Sequence, residues 1–185
     1  MRYADSPAIE CQLHVAADPA RVWDLVTDIE LAARFSPELR QTRWLDDCDG
    51  PTLGARFEGH NDHPLLGQWR TVSHVVDFDA PRVFGWVVVD EDDQFGGGPA
   101  DPARPGSRWQ FQLVEEEGGC RLTHSARIGP GRTGLSVIID RAPEHEEAII
   151  ERRMAALREA MTTTLQGIKT LAETPTGDGR STPTG

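Results

Sequence analysis

The feature that most constrains this chain is the stretch from 144 to about 173. Ile150, Met154, Leu157, Met161, Leu165 and Ile168 follow one another at intervals of four, three, four, four and three residues. That spacing lays a single apolar stripe along one long helix. Glu144, Glu146 and Glu147 fall in its first turn and Lys169 in its last, as the helix dipole favours. A narrow stripe of this kind must be buried against something, and the preceding sequence shows what.

Residues 8 to 16 (AIECQLHVA) alternate cleanly. Ile9, Cys11, Leu13 and Val15 share one side, and Glu10, Gln12 and His14 the other, the pattern of a half-buried strand. Asp18 is a good N-cap and Pro19 suits a first helical position, so a helix is predicted over 19–27. Asp28 caps a second over 29–35, which ends before Pro37 because a residue preceding proline avoids the helical region. From 38 to about 129 the segments are short and rich in Val, Trp, Phe, Thr and Arg: LRQTRWLDD, GARFEGHND, GQWRTVSHVVDFD, RVFGWVVVDE, SRWQFQLVEEE and CRLTHSARIG. Gly, Pro and Asp clusters separate them, as in an antiparallel meander. Residues 130–143 read as a Gly-rich connection holding an apolar patch of Leu135, Val137, Ile138 and Ile139. The loop from 92 to 106 is long for a hairpin, and such loops are usually functional or mobile.

The predicted fold is therefore α+β: a curved antiparallel sheet of about seven strands, two short helices after the first strand, and a long C-terminal helix on the concave face. A sheet cannot hide a face alone, and the last helix is the element large enough to cover it. A curved sheet around one helix leaves a gap, and such gaps take apolar ligands. One domain is expected over 1–173, followed by a disordered tail over 174–185 that lacks apolar residues.

Composition excludes some classes. The net charge of −11 leaves no basic footprint for nucleic acid, the longest basic cluster being Arg152-Arg153. No apolar run approaches the roughly 20 residues of a membrane helix, so no stable membrane insertion is expected. The N-terminus has no apolar core of a signal peptide, which predicts a cytoplasmic protein. Three cysteines, Cys11, Cys48 and Cys120, are too few and too scattered for a disulfide framework, and Cys11 and Cys120 read as small buried hydrophobes. No metal-ligand spacing, GxSxG nucleophile motif or dinucleotide fingerprint occurs. Gly96, Gly97 and Gly98 mark a flexible loop, not a phosphate cradle. No metal and no cofactor are expected.

Several residues are candidates for a ligand site. Trp69, Trp86 and Trp109, with Phe57, Phe84 and Phe111, fall on predicted strands, and Trp44 on another. They read either as core or as a wall that stacks on flat ligands. His124 lies on the apolar side of its strand with Cys120, Leu122, Ala126 and Ile128. It reads either as a satisfied core histidine or as a catalytic acid or base. Asn61 shares a side with Phe57 and Gly59 and suits a ligand carbonyl or a turn. Arg34 and Phe35 close the second short helix near the expected mouth. Thr71 and Thr123 are further polar candidates.

In these strings the chain resembles the START/Bet v 1-like helix-grip superfamily, also called SRPBCC or polyketide cyclase/dehydrase and lipid-transport proteins. ADPARVWDLVTDIELAARFSPEL looks like its first helix pair. TRWL, GARFEGHN, WRTVSHVVDFDAPRVFGWVV, SRWQFQL and CRLTHS look like its strands, and RRMAALREAMTTTLQGIKTLAE looks like the C-terminal helix of bacterial members. The resemblance covers about 8–173 and implies fold more than function. Three functions stay open. One is binding of a small hydrophobic or aromatic molecule in a cavity, by a monomer or homodimer. Another is a polyketide cyclase or dehydratase, with His124 as acid or base and Arg34 and Asn61 orienting carbonyls. The last is a protein-interaction module of co-chaperone or toxin type.

Overall fold

A computed structural model describes residues 1–64 and 67–175. The tail expected to be disordered therefore lies, from 176 onward, outside the described residues. The elements in chain order are β1 (Ala8–Val15), α1 (Pro19–Thr27), α2 (Ile29–Phe35), β2 (Leu39–Trp44), β3 (Arg56–His63), β4 (Gly67–Asp79), β5 (Val83–Val89), β6 (Ser107–Glu116), β7 (Gly119–Ile128), α3 (Gly134–Arg141) and α4 (Glu146–Glu173).

The caps act where the sequence places them. Asp18 accepts from the Ala20 amide at 2.8 Å and Asp28 from the Glu30 amide at 3.0 Å. Each satisfies a helix-start N–H that has no partner inside its helix. The sheet is antiparallel throughout, in the order β1-β7-β6-β5-β4-β3-β2. Consecutive strands from β2 to β7 pair as hairpin neighbours, while α1 and α2 carry the chain from one edge, β1, to the other, β2. Gly119 makes the β6–β7 turn possible beside β1, because a Cβ there would stand 2.0 Å from the Val15 carbonyl oxygen.

Registers show which side chains share the inward face. Cys11, His124, Phe111, Phe84 and Phe78 form one row across the sheet. Ile9, Ala126, Trp109, Trp86 and Val75 form the next. A bulge between Val75 and Asp77 breaks the period of two in β4. It returns Phe78 to the inward side and sends Asp77 outward over Gly85.

This is the helix-grip arrangement, and two details correct the sequence reading. The stretch 130–143 is not an irregular connection. It contains α3, started by a Thr133–Ser136 box in which the Ser136 amide donates to Thr133 Oγ1 and the Thr133 amide to Ser136 Oγ. A 3-10 turn, Pro143–His145, then delays α4 to Glu146. The long helix also does not cover the sheet alone. α4 packs chiefly along β1, with α1, α2, α3 and β7 as lesser neighbours. Its buried positions are Ile150, Leu157, Met161, Leu165, Ile168 and Ala172. Lys169 serves the β1 edge, donating to the His14 carbonyl at 2.7 Å. Among the described residues no helix is long and apolar enough to cross a membrane.

Candidate functional site

Because α4 lies along β1, the inward side chains of β3 to β6 are not all sealed beneath it. Phe57, Phe84 and Phe111 are buried, whereas Trp86 and Trp109 between them are half-buried. Their rings touch in sequence. Trp44 meets Phe57 at 5.4 Å between centroids, Phe57 meets Trp86 at 6.0 Å, and Trp86 meets Phe84 at 5.2 Å and Phe111 at 6.0 Å. Phe111 then stacks on His124 at 4.1 Å and 21°, and Trp109 closes on the same imidazole at 5.6 Å. Alternation on adjacent strands places these rings side by side.

His124 is the chemically unusual member. It is 6% exposed, and neither ring nitrogen has a hydrogen-bond partner. Burial among apolar neighbours pushes its pKa down to about 3, so the ring is neutral at physiological pH. A neutral imidazole offers one donor and one acceptor. The neighbouring indole has no free donor, since Trp109 Nε1 donates to Ser107 Oγ at 2.9 Å.

A second group lies toward the far ends of β3 and β4. Asn61 Nδ2 donates to the Gly59 carbonyl at 3.3 Å and to Thr71 Oγ1 at 3.4 Å. Trp69, opposite Asn61 in the register, meets Phe95 of the 90–106 loop at 6.3 Å. Arg132 Nε holds that loop by donating to the Phe95 carbonyl at 2.8 Å. The third group is on α2. Phe35 packs against α4 at Gly167, where a Cβ would stand 2.3 Å from its ring. Arg34 is exposed. Thr123 is on the side of β7 opposite His124 and is separated from the rings.

Sequence reading missed two contributors. Phe95 carries no periodic signal, being in a loop. Arg153 donates both Nη groups to the Glu38 carboxylate, the Nη2–Oε2 contact being 3.0 Å. This clasp ties α4 to the connection between α2 and β2. Burial opposes ionisation of Glu38, but Arg153's hydrogen bond and charge, with the charge of His63, hold its carboxyl below the usual carboxylate range. The visible signal was Arg153 beside Met154 on the edge of the stripe, without any hint of its partner.

Among the described residues two surface hollows are present, and the second is lined in part by Trp109 of the ring wall. One is between Ala17–Pro19 and the β6–β7 hairpin. Another follows β1, β7 and β6, lined in part by Glu10, Arg108, Gln110 and Arg127. Among the described residues no three His, Cys, Asp or Glu side chains are grouped to hold a metal ion.

The model of the family described as polyketide cyclase / dehydrase and lipid transport matches residues 7–173. No curated protein matches the chain. Among solved structures, a polyketide-cyclase-like protein of Corynebacterium glutamicum is 29% identical, with 90% of this chain and 91% of that one covered and a TM-score of 0.59. The Zhui aromatase/cyclase of a Streptomyces species is 16% identical over 90% of this chain and 93% of that one, TM-score 0.59. One half of StfQ, a di-domain ARO/CYC from the steffimycin biosynthetic pathway, also superposes. It is 13% identical, with 90% of this chain and 50% of that one covered and a TM-score of 0.62. At these last two identities the likeness is one of fold.

Proposed function

Taking as premise that the chain belongs to the polyketide cyclase / dehydrase and lipid transport family, we propose that it binds a small hydrophobic or aromatic molecule between the sheet's inward face and α4. The observation that carries this reading is the connected ring wall of Phe57, Trp86, Phe111, His124 and Trp109, with both indoles left half-buried. Flat apolar ligands gain stacking and area burial on such a wall. The second group, Asn61, Thr71 and Trp69, supplies polar and aromatic contacts at one end. Phe35, set by Gly167, helps bound the other side.

Catalysis on the same ligand is a second reading, favoured by the two unpartnered nitrogens of His124. At a pKa of about 3 the imidazole is a weak proton acceptor. A cyclisation here would therefore rest on holding a reactive chain in position and on hydrogen bonds to it. An interaction module finds less support. The exposed large apolar side chains among the described residues, Met1, Leu53, Val114 and Leu171, sit on separate parts of the fold and form no patch.

Native mass spectrometry of the purified protein tests the proposal, followed by tryptophan quenching with fatty acids, sterols and aromatic polyketides. A copurifying species, or saturable quenching weakened in Trp86→Ala and Trp109→Ala, is expected. Neither signal, in a protein with an intact circular dichroism spectrum, would sink the binding reading. Turnover lost in His124→Ala while affinity is kept would favour the enzyme.

A further inference from the structure

The inward face has a charge pattern that narrows the ligand. From the row of Leu13, Leu122 and Leu113 to the row of Thr71, Gly59 and Thr42, no inward strand position carries Asp, Glu, Lys or Arg. Charge-bearing residues of the same parity stand only at strand ends, Glu115 exposed at the β6–β7 hairpin and His63 beside Glu38. Arg153 of α4 is committed to Glu38 through both Nη groups. Among the described residues, no inward strand position along the ring wall offers a cation to an ionised head group. Moving an unpaired carboxylate into such surroundings is strongly unfavourable.

The same wall is not wholly apolar, because His124 keeps a donor and an acceptor without partners at its centre. Its plane is fixed between Phe111 and Trp109. A polar group buried without a partner is costly unless something else supplies one. Resting on the binding site proposed above, we infer that His124 is the specificity post of that site and meets an uncharged hydroxyl or carbonyl on a flat ring. Ionised head groups, carboxylates and phosphates alike, are rejected. The ligand class is a neutral oxygenated aromatic, and free fatty acids fall outside it.

Three probes of one ring size test this by equilibrium dialysis at neutral pH: naphthol, naphthoate and naphthalene. Naphthol is expected to bind at least about tenfold more tightly than naphthoate, and severalfold more tightly than naphthalene. In His124→Phe, which keeps a flat ring and removes both nitrogens, naphthol should fall to the level of naphthalene while naphthalene is little changed. Naphthoate binding as well as naphthol would overturn the inference and leave the binding site standing. So would an equal loss of naphthol and naphthalene in His124→Phe. If none of the three binds, the binding site itself fails and the inference falls with it. The comparison of probes on the unaltered protein decides the matter even if the variant does not fold.

Discussion

The two faces of the sheet solve the problem of polar groups in opposite ways. On the outward face, Glu58 is buried yet fully engaged. Its Oε1 accepts from Arg43 at 2.8 Å and contacts His60 Nε2 at 3.2 Å, and its Oε2 accepts from Arg70 at 3.3 Å. Arg70 reaches on to Asp92, and Arg56 joins Asp46 to Glu91. On the inward face, His124 on β7 has no partner at either nitrogen and Thr42 Oγ1 on β2 has none either. A polar network that is closed rigidifies a fold, whereas buried polar groups left open leave hydrogen-bonding capacity that something else can fill. The outward face closes its polar network across β2, β3 and β4, and the inward face leaves His124 without a partner, as the proposed binding site requires.

The comparison breaks most visibly where charge is added to the inward face. His124→Asp places a carboxylate with no cation near it, a loss on the order of 3–5 kcal/mol, a large part of the stability of an ordinary domain. His124→Phe removes two unpaired polar atoms and fills nearly the same shape. It should be neutral or stabilising by about 1 kcal/mol. Urea denaturation of both variants measures this. If Phe destabilises as much as Asp, His124 is satisfied by contacts the inward face does not show.

Acid should separate the faces next. His124 has a pKa of about 3 in the fold against an ordinary value of 6.5. The unfolded state therefore takes up its proton first, and the contribution is complete above 6.5 and lost as pH falls toward 3. Between pH 6.5 and 4.5 this costs roughly 2–3 kcal/mol. His74, on the outward face, has its pKa lowered by burial and then by Arg56, so it adds loss of the same sign. The paired carboxylates Glu38, Glu58, Asp46 and Asp92 are all held low and lose their contribution only at more acidic pH. The pH profile of the melting temperature of His124→Phe should be flatter than that of the unaltered protein from 6.5 down to about 3, and parallel to it only below that. Superimposable profiles would mean that His124 is hydrated or paired in solution.

Much of this was written in local sequence. Asp18-Pro19 and Asp28 mark the starts of α1 and α2 because a cap is a short-range interaction. Alternation in β1, β6 and β7 puts Leu122 with His124 and Trp109 with Phe111 because strand periodicity is also local. What escaped reading depends on distant parts of the chain or on a local exception. The bulge at Val76 turns Phe78 inward against the period of two. α3 hid behind Gly131 and Gly134 although its Thr133–Ser136 box was present. The Arg153–Glu38 clasp joins residues 115 apart, and no pattern links them. The lateral offset of α4 toward β1 follows from packing of the whole molecule. Without that offset Trp86 and Trp109 would read as plain core.

The smallest effects belong to the outward face, and their size relative to each other sharpens the contrast. Glu58 is held below the usual carboxylate range by its hydrogen bond with His60, against the opposing effect of burial and with further help from Arg43. Glu58→Gln keeps the volume and one acceptor but leaves Arg43 and Arg70 facing a neutral amide. A cost of about 1–2 kcal/mol is expected, since bonds to charged groups exceed neutral ones, and raising the salt concentration should narrow it. Arg82→Ala removes a pair with Asp79 in which the side chains are 69% and 54% exposed, and should cost under about 0.5 kcal/mol. Denaturation of the two variants side by side gives the difference, and ligand affinity should be the same in both. If Arg82→Ala cost as much as Glu58→Gln, the network around Glu58 would be only a set of solvated pairs. The closed-against-open contrast between the faces would then reduce to burial alone.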